Sequence, residues 1–381
     1  MLQTVRHARR VAATLARFAS PTPLMLAMLL IATAAPPGSA QNGDALSQAV
    51  LQKNGAWNAD EARQVETFIS ANLAAFADED ADAEEVAEAR ERLLVPLNDL
   101  RAEAAFQAQY FRAIAAALRN GLPTFTKIGR INAMMLGSRV VDASVVPMLE
   151  TGIVDEAPGV RYAAARSMLV VLNNEALGIR DNEKARLIRV LGEAASVESN
   201  GFVAGKLIDA IRTAEVSGQR DILLSLFNAR VPLHAADPGL TYQPELTAMQ
   251  ELFISGLGQP GGFGRDAARA FIQAAARYIR LTTAQIAADV LPAENRQPAL
   301  NLANQCFTVL DTLAPNAGQA GQRPANPVRS LPGQAERAVQ LAEEWPAFLA
   351  PAPLNLNADE LSIDAPAAAE PQGESPAAAS E

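Results

Sequence analysis

The chain is poor in the two residues that most often carry metal-binding and nucleophilic chemistry. Its 381 residues include one cysteine, Cys306, and two histidines, of which only His234 lies beyond the first forty residues. A single cysteine excludes an intramolecular disulfide, and one histidine with one cysteine cannot supply the usual ligands of a zinc site. No serine-nucleophile motif accompanies His234. We therefore expect no metal, no cofactor and no enzymatic activity.

Both residues have structural interpretations. Cys306 shares a helical stripe with Leu302 and Val309, a pattern that predicts a small buried apolar residue. A reactive thiol or an intermolecular bridge is the alternative. His234 lies between Pro232 and Pro238, which predicts a solvent-facing histidine in a loop.

Lysine and aromatic residues are also scarce. The chain has four lysines and a formal net charge of −10, whereas nucleic acids and anionic lipids require clustered lysine and arginine. We therefore predict no nucleic-acid binding and favour a partner with a basic or neutral surface. Aromatic residues make up 5% of the chain, which is few for a sugar-stacking cleft. The alternative function is a carboxylate-dependent, all-helical polysaccharide hydrolase or lyase, which would need paired carboxylates across a cleft.

Two motifs share part of the residue spacing of ligand-binding loops but lack residues that those loops require. Asp78, Asp80 and Asp82 have the spacing of the first three calcium ligands of an EF-hand, yet alanines stand where that loop needs a glycine and a bidentate glutamate. The glycine-rich run 256–262 lacks the lysine and the hydroxyl residue of a phosphate-binding loop. We interpret the first motif as a solvated acidic turn and the second as a turn between helices.

The first forty residues have the composition of a secretory signal peptide. Residues 1–23 carry four arginines and no acid, residues 24–35 are apolar except for Thr33, and small residues follow up to Ala40. We predict cleavage after Ala40; cleavage after Ala35 and retention as an anchor are the alternatives. Cleavage leaves 28 of the 32 basic residues and all 42 acids, a net charge of 28 minus 42, or −14. The mature protein is then expected outside the cytoplasm of a bacterial cell, in the periplasm or the exterior, without a transmembrane segment.

The rest of the chain has apolar residues at helical spacing, and no segment alternates convincingly as a strand would. This pattern predicts an all-α fold. After residue 313 the composition shifts to Pro, Gly, Gln and Asn, and from residue 350 it is mainly Ala, Pro and Glu with six acids and no base. The predicted organisation is a signal peptide (1–40), an N-terminal helical segment (41–96), an α-solenoid (97–313), a linker (314–334), a short helix (335–349) and a disordered tail (350–381).

One stretch has the pattern of two packed helices. An apolar stripe recurs at every fourth position from Val145 to Ile153, a Pro-Gly pair follows at 158–159, and the next helix is rich in alanine. Small residues allow a neighbouring helix to approach closely. A pair of this kind buries its apolar faces only if further copies stack on it, so the pattern predicts a helical-repeat solenoid.

Residues 142–172 resemble a HEAT repeat. The shared features are Pro147 in the first helix, Asp155 in the turn, and Val160 followed by Arg161 at the opening of the second helix. The resemblance implies a HEAT-like solenoid with room for about five helical pairs. It also implies that Asp155 and Arg161 form part of a hydrogen-bonded ladder between neighbouring repeats.

We expect such a solenoid to act as a non-enzymatic scaffold that docks a protein or another component of the cell envelope. Polar positions on the predicted second helices are the candidate contacts for this partner. These positions are Arg130, Asn132, Arg166, Lys206 and Arg212.

Overall fold

The computed structural model of the chain describes residues 45–258, 263–319, 321–331 and 333–363. Every regular element in these ranges is a helix, and none of the described residues forms a strand. The predicted all-α fold class is therefore confirmed. The predicted signal peptide, residues 1–40, lies outside the described residues.

The N-terminal part begins with four helices whose ends follow local capping chemistry. Asn58 caps the second helix and Glu61 bonds back to the Asn58 backbone, which forms a reciprocal capping box. Asp82 and Glu85 make the same motif at the third helix, so the acidic turn terminates in a helix cap. Pro96 lies inside the third helix. The four helices are α1 (Gln48–Leu51), α2 (Ala59–Ala77), α3 (Ala83–Asn98) and α4 (Ala104–Gly121).

The middle of the chain consists of eight shorter helices. The predicted pair at residues 142–172 forms α6 and α7, and a β-carbon added to Gly152 of α6 would lie 2.9 Å from the β-carbon of Ala164 in α7. The small residues therefore do permit close approach of these two helices. The eight are α5 (Lys127–Gly137), α6 (Val146–Ile153), α7 (Pro158–Leu172), α8 (Asp181–Val197), α9 (Gly201–Arg212), α10 (Gln219–Ala229), α11 (Val231–Ala236) and α12 (Gln243–Gly258).

Three further helices complete the described chain. They are α13 (Arg265–Ala287), α14 (Ala293–Asn316) and α15 (Ala335–Leu349). The bounds of α15 are those of the predicted short helix at 335–349. Cys306 lies in α14 and is fully buried, as predicted, and burial raises the pKa of its thiol.

Eleven of the fifteen helices named above pack in two rows. Helices α3, α5, α7, α9, α12 and α14 each contact the next member of that series, and so do α6, α8, α10, α13 and α15. Contacts between the rows join α6 to α7, α8 to α9, α10 to α12, and α13 to α14. One cluster of buried apolar residues joins the helices, from Leu46 to Leu361.

The sequence prediction of a disordered tail from residue 350 is wrong for its first part. Residues 350–363 pack against the preceding helices, with Leu354, Leu356 and Leu361 at most 3% exposed. These three leucines supply buried apolar area that the overall Ala/Pro/Glu composition conceals. Residues 364–381 lie outside the described ranges.

None of the helices that the structure describes combines the length and the apolar character needed to cross a bilayer.

Candidate binding groove and the arginine ladder

The turn before α7 is held by two arginines. Arg130, from α5, places its guanidinium Nε 2.8 Å from a carboxylate oxygen of Asp155. The same carboxylate accepts a bond from the Ala157 amide, which shapes the turn. Arg161, in α7, donates to the backbone carbonyls of Asp155 and Glu156 at 2.8 and 2.9 Å. Asp155 and Arg161 are thus joined through the Asp155 backbone, while the Asp155 side chain binds Arg130.

Arg161 carries the series of contacts on to the next turn. Its Nε lies 2.6 Å from Glu198, which precedes α9 and is 5% exposed in its side chain. The hydrogen bond to Glu198 raises the pKa of Arg161, and burial, which would lower that pKa, does not outweigh it. Arg130 and Arg161 are each the fourth residue of their helix, and each binds an acid in the turn that leads to the next helix of the row. We call this series the arginine ladder.

The fourth residue of α9 is Ala204, which has no side-chain donor. A different arginine therefore supplies the contacts at this helix. Arg230, at the junction of α10 and α11, reaches back and donates to the carbonyls of Ala195 and Glu198 at 2.6 and 2.7 Å. Its guanidinium also binds Glu245 of α12. Arg230 is 1% exposed, so one buried cation ties α8, the following turn and α12 together.

His234 belongs to this buried cluster, which corrects the prediction of a solvent-facing loop. Its ring stacks on Tyr242 with 4.1 Å between centroids, Nε2 lies 2.8 Å from Glu245, and no part of the residue is exposed. Pro232 does not break the chain but lies in the first turn of α11, where proline fits. Burial alone would raise the pKa of the Glu245 carboxyl, but His234 and Arg230 outweigh it and lower that pKa to about 2.

The five candidate partner-binding residues have different environments. Arg130 takes part in the ladder, and Asn132, 6% exposed, accepts a bond from Arg90 and donates to a backbone carbonyl of its own helix. Lys206 and Arg212 share one acid, Asp209, at 2.8 and 3.2 Å. Arg166 is exposed and has no ion-pair partner among the described residues. The structure therefore does not gather the five residues into one site.

Arg166 instead faces a groove of about 340 Å³ between α3, α5 and α7. Arg139, after the end of α5, is likewise exposed and without an ion-pair partner in the described chain. Arg90 is bound to Glu91 at 2.7 Å. We call this the α3–α5–α7 groove; its lining is Arg90, Glu91, Leu94, Asn98, Met135, Ser138, Arg139, Arg166, Ser167 and Val170.

The lining of this groove favours an anionic group. It holds three arginines against one glutamate, which is already paired, in a chain whose overall charge is negative. Guanidinium groups bind carboxylates through two parallel hydrogen bonds. The hydroxyls of Ser138 and Ser167 donate to backbone carbonyls at 2.7 Å, so these hydrogens are not available to a bound anion. The apolar side chains of Leu94 and Val170 provide contact area beside the charges.

No group of three or more histidine, cysteine, aspartate or glutamate side chains in the described residues is placed to hold a metal ion. Comparison of the chain with protein-family models, with curated proteins and with solved structures finds no match.

Proposed function

We propose that the chain is an exported, non-enzymatic scaffold that binds a protein partner of the cell envelope through the α3–α5–α7 groove. The observation that carries this proposal is the pair Arg139 and Arg166, two exposed arginines that face one groove without a carboxylate partner in the described chain. The partner contributes a carboxylate to these arginines and apolar side chains to Val170. Although the overall charge favours a basic or neutral partner, the groove is a local exception.

The scaffold is proposed to be a HEAT-like solenoid. Two rows of helices with successive contacts support this architecture, and so does the arginine ladder, in which Arg130 and Arg161 occupy equivalent helix positions. A solenoid of this type presents an extended surface built from one helix of each pair.

Binding rather than catalysis is supported by the placement of the histidine. His234 and Glu245 are both fully buried, so this histidine–carboxylate pair does not face a substrate. The carboxylate also has a pKa lowered to about 2, which is far from that of a general acid or base poised near neutral pH.

The export part of the proposal rests on the basic and apolar leader. N-terminal sequencing of the protein from fractionated cells is expected to begin at Gln41 in the non-cytoplasmic fraction. Recovery of an intact Met1 in the cytosol would contradict export without affecting the groove.

The groove is tested by site-specific photocrosslinking in the native envelope. A photoreactive residue at Val170, which is 41% exposed on the groove wall, is compared with one at Val290, which is 50% exposed outside it. We expect a discrete crosslinked product from position 170 and none from position 290. The same product from both positions, or from neither, would refute the groove as the binding site.

Charge reversal provides the matched control. The double variant Arg139→Glu, Arg166→Glu is expected to abolish the crosslink at Val170 without lowering the melting temperature, because exposed arginines contribute little to stability. Arg189→Glu reverses another exposed arginine without an ion-pair partner among the described residues, on α8, and should leave the crosslink intact. Equal loss in both variants would indicate non-specific electrostatics.

A further inference from the structure

Four asparagines of the chain are followed directly by glycine, at positions 42, 54, 120 and 200. The two residues of such a pair can react with each other, because glycine has no side chain to hinder its amide nitrogen. Asn42 lies outside the described residues. The other three pairs share the same dipeptide but differ in backbone conformation and hydrogen bonding, so the fold decides which of them reacts.

The reaction is an intramolecular cyclisation followed by hydrolysis. The glycine amide nitrogen loses its proton and attacks the side-chain carbonyl carbon of the asparagine; a nitrogen–carbon bond forms, and the side-chain amide group takes up a proton and leaves as ammonia. Water then opens the five-membered imide at either of its two carbonyls, which gives aspartate or isoaspartate. The reaction therefore requires an unrestrained asparagine side chain, a glycine amide without a hydrogen bond, and room for the backbone to rotate.

Asn54 and Gly55 meet all three requirements. They lie in the connection between α1 and α2, where both residues are exposed. Neither the Asn54 side chain nor the Gly55 amide has a hydrogen-bond partner in the described chain. A β-carbon added to Gly55 would meet nothing within 4 Å, so the backbone here has room to rotate.

Asn200 is held by its helix. Its side-chain oxygen accepts bonds from the amides of Phe202 and Val203 at 3.1 and 3.2 Å, and so caps the N-terminus of α9. Cyclisation would break both bonds. A β-carbon added to Gly201 would clash with the side chain of Thr241, so the backbone at this pair is also closely packed.

Asn120 has an exposed side chain but a helical backbone. Asn120 and Gly121 are the last two residues of α4, where backbone amides donate to carbonyls of the preceding turn. Cyclisation would rotate the Gly121 amide out of this arrangement. A β-carbon added to Gly121 would clash with the Phe125 ring, so this backbone is also closely packed.

We propose that Asn54 is a self-modification site, at which the folded chain converts asparagine to aspartate and isoaspartate, while the fold protects Asn120 and Asn200. The chemistry needs no enzyme and no reactant other than water. Neither Asn54 nor Gly55 lines the α3–α5–α7 groove, so this inference and the proposed function can fail separately.

The modification falls between two contacts that connect α1 to the rest of the fold. On one side of Asn54, Lys53 pairs with Glu61 of α2 at 2.9 Å. On the other side, Gln109 of α4 donates to the Gly55 carbonyl at 2.7 Å. Aspartate adds a negative charge between these contacts, and isoaspartate also adds one carbon atom to the backbone that joins them. We therefore expect isoaspartate to loosen α1.

The test follows the three asparagines in the full chain during storage in mildly alkaline buffer, with and without denaturing urea. Samples are digested with pepsin at acid pH, where cyclisation is slow, and the asparagine, aspartate and isoaspartate peptides are quantified by liquid chromatography and mass spectrometry. In the folded chain, Asn54 should convert at least about tenfold faster than Asn120 or Asn200, because those two react only after local opening. In urea the three rates should agree within about threefold, since unfolding exposes all three pairs.

Two results would overturn the proposal. One is conversion of Asn54 in the folded chain at a rate no higher than that of Asn120 or Asn200. The other is a preference for Asn54 that persists in urea, because the flanking sequence rather than the fold would then be its cause. Asn54→Gln is the matched control: glutamine keeps the amide, but its longer side chain does not form the five-membered ring, so no isoaspartate should appear at this position.

Hydrogen exchange tests the consequence for α1. The Glu103 amide donates to the carbonyl of Leu51, the last residue of α1, at 3.0 Å. In stored wild-type protein, the peptide that contains Glu103 should exchange at least about threefold faster than in fresh protein, because this bond opens more often. Stored Asn54→Gln should exchange as fresh protein does. Equal acceleration in both stored proteins, or acceleration in neither, would refute the loosening of α1 by isoaspartate.

Discussion

Replacing Glu245 by glutamine tests the buried cluster most directly. Glu245→Gln keeps the shape of the side chain but removes its charge, so Arg230, which is 1% exposed, keeps only neutral partners: the carbonyls of Ala195 and Glu198 and the new amide. Breaking a buried ion pair by removing one partner costs about 3–5 kcal/mol, because it leaves an uncompensated buried charge. We therefore expect urea unfolding to show a loss of at least about 3 kcal/mol.

A half-exposed ion pair provides the control for this measurement. Glu150 lies 2.6 Å from Arg186, and the side chains are 21% and 43% exposed. Glu150→Gln should cost less than about 1 kcal/mol, since solvent screens such a pair. If Glu245→Gln costs no more than Glu150→Gln, the Arg230–Glu245 contact does not hold the helices together and our account of the ladder at α9 is wrong.

The same carboxylate gives the cluster a pH signature. The pKa of Glu245 falls from an ordinary value of 4.5 to about 2 in the folded chain, so the folded state favours the ionised form. Its contribution is complete above pH 4.5 and is lost as the pH falls towards 2, with a total of about 3 kcal/mol. Between pH 6 and pH 3, urea midpoints of the wild type should therefore fall more steeply than those of Glu245→Gln. Parallel curves would contradict this assignment.

Two further predictions concern helix packing, and thermal unfolding checks both. Gly129→Ala should destabilise the chain, because the added carbon would clash with the Phe76 carbonyl oxygen. Gly205→Ala, whose added carbon meets nothing within 4 Å, should instead stabilise it by about 0.5–1 kcal/mol. The same sign for both would contradict the packing of α5 on α2. Ala164→Glu should cost several kcal/mol, since Ala164 is fully buried where α6 and α7 approach closely, and an unchanged melting temperature would exclude that packing.

Local signals predicted the helices well where a cap or a composition change marked their ends. Asn58 followed by Glu61 has the spacing of a capping box and stands at the start of α2, and the bounds of α15 are those of the short helix predicted between the linker and the tail. Residue 97, the predicted start of the α-solenoid, lies inside α3, and the next helix begins at Ala104. The helix before it continues through Pro96, and the Asp99 carboxylate then binds Arg101 to form a turn. These bonds form at only two residues' separation and carry no periodic signal.

The candidate site was less predictable because its charges pair across the fold. Asp209 stands three residues from both Lys206 and Arg212, a spacing that indicates local ion pairs and was available in the sequence. The pairing of Arg130 with Asp155, 25 residues away, depends on the packing of α5 against α7. Arg139 had no helical pattern to mark it because it follows the end of α5. Only tertiary structure brings it beside Arg166.

His234 shows how two prolines misled the local prediction. A proline in the first turn of a short helix looks the same in the sequence as a proline in a loop. Which of the two structures forms depends on whether the residues after the proline are buried. Here Gln285 of α13 donates to the His234 carbonyl at 2.7 Å, and Tyr242 covers the ring. The first contact comes from a residue 51 positions away in the chain. A buried glutamate 11 residues later was the only local indication of a partner.

The preference of this chain for arginine over lysine follows from what its cations bind. Of the 32 basic residues, 28 are arginine and four are lysine. Arg161, Arg230 and Arg269 each bind a carboxylate and at least two backbone carbonyls at once. A planar guanidinium with five donors can satisfy such a set while it is buried, whereas an ammonium is a more strongly hydrated point charge with three donors.

The hydrogen-bond partners of each arginine distinguish those that stabilise the fold from those available to a partner. A guanidinium that already binds carbonyls and a carboxylate is held by the fold, as Arg161 and Arg230 are. Arg139 and Arg166 have neither a carboxylate nor a carbonyl partner among the described residues, although ordering a long side chain without a partner gains nothing for folding. Their placement at one groove is therefore not explained by stability, and this is the reason that we propose a carboxylate of a partner as their ligand.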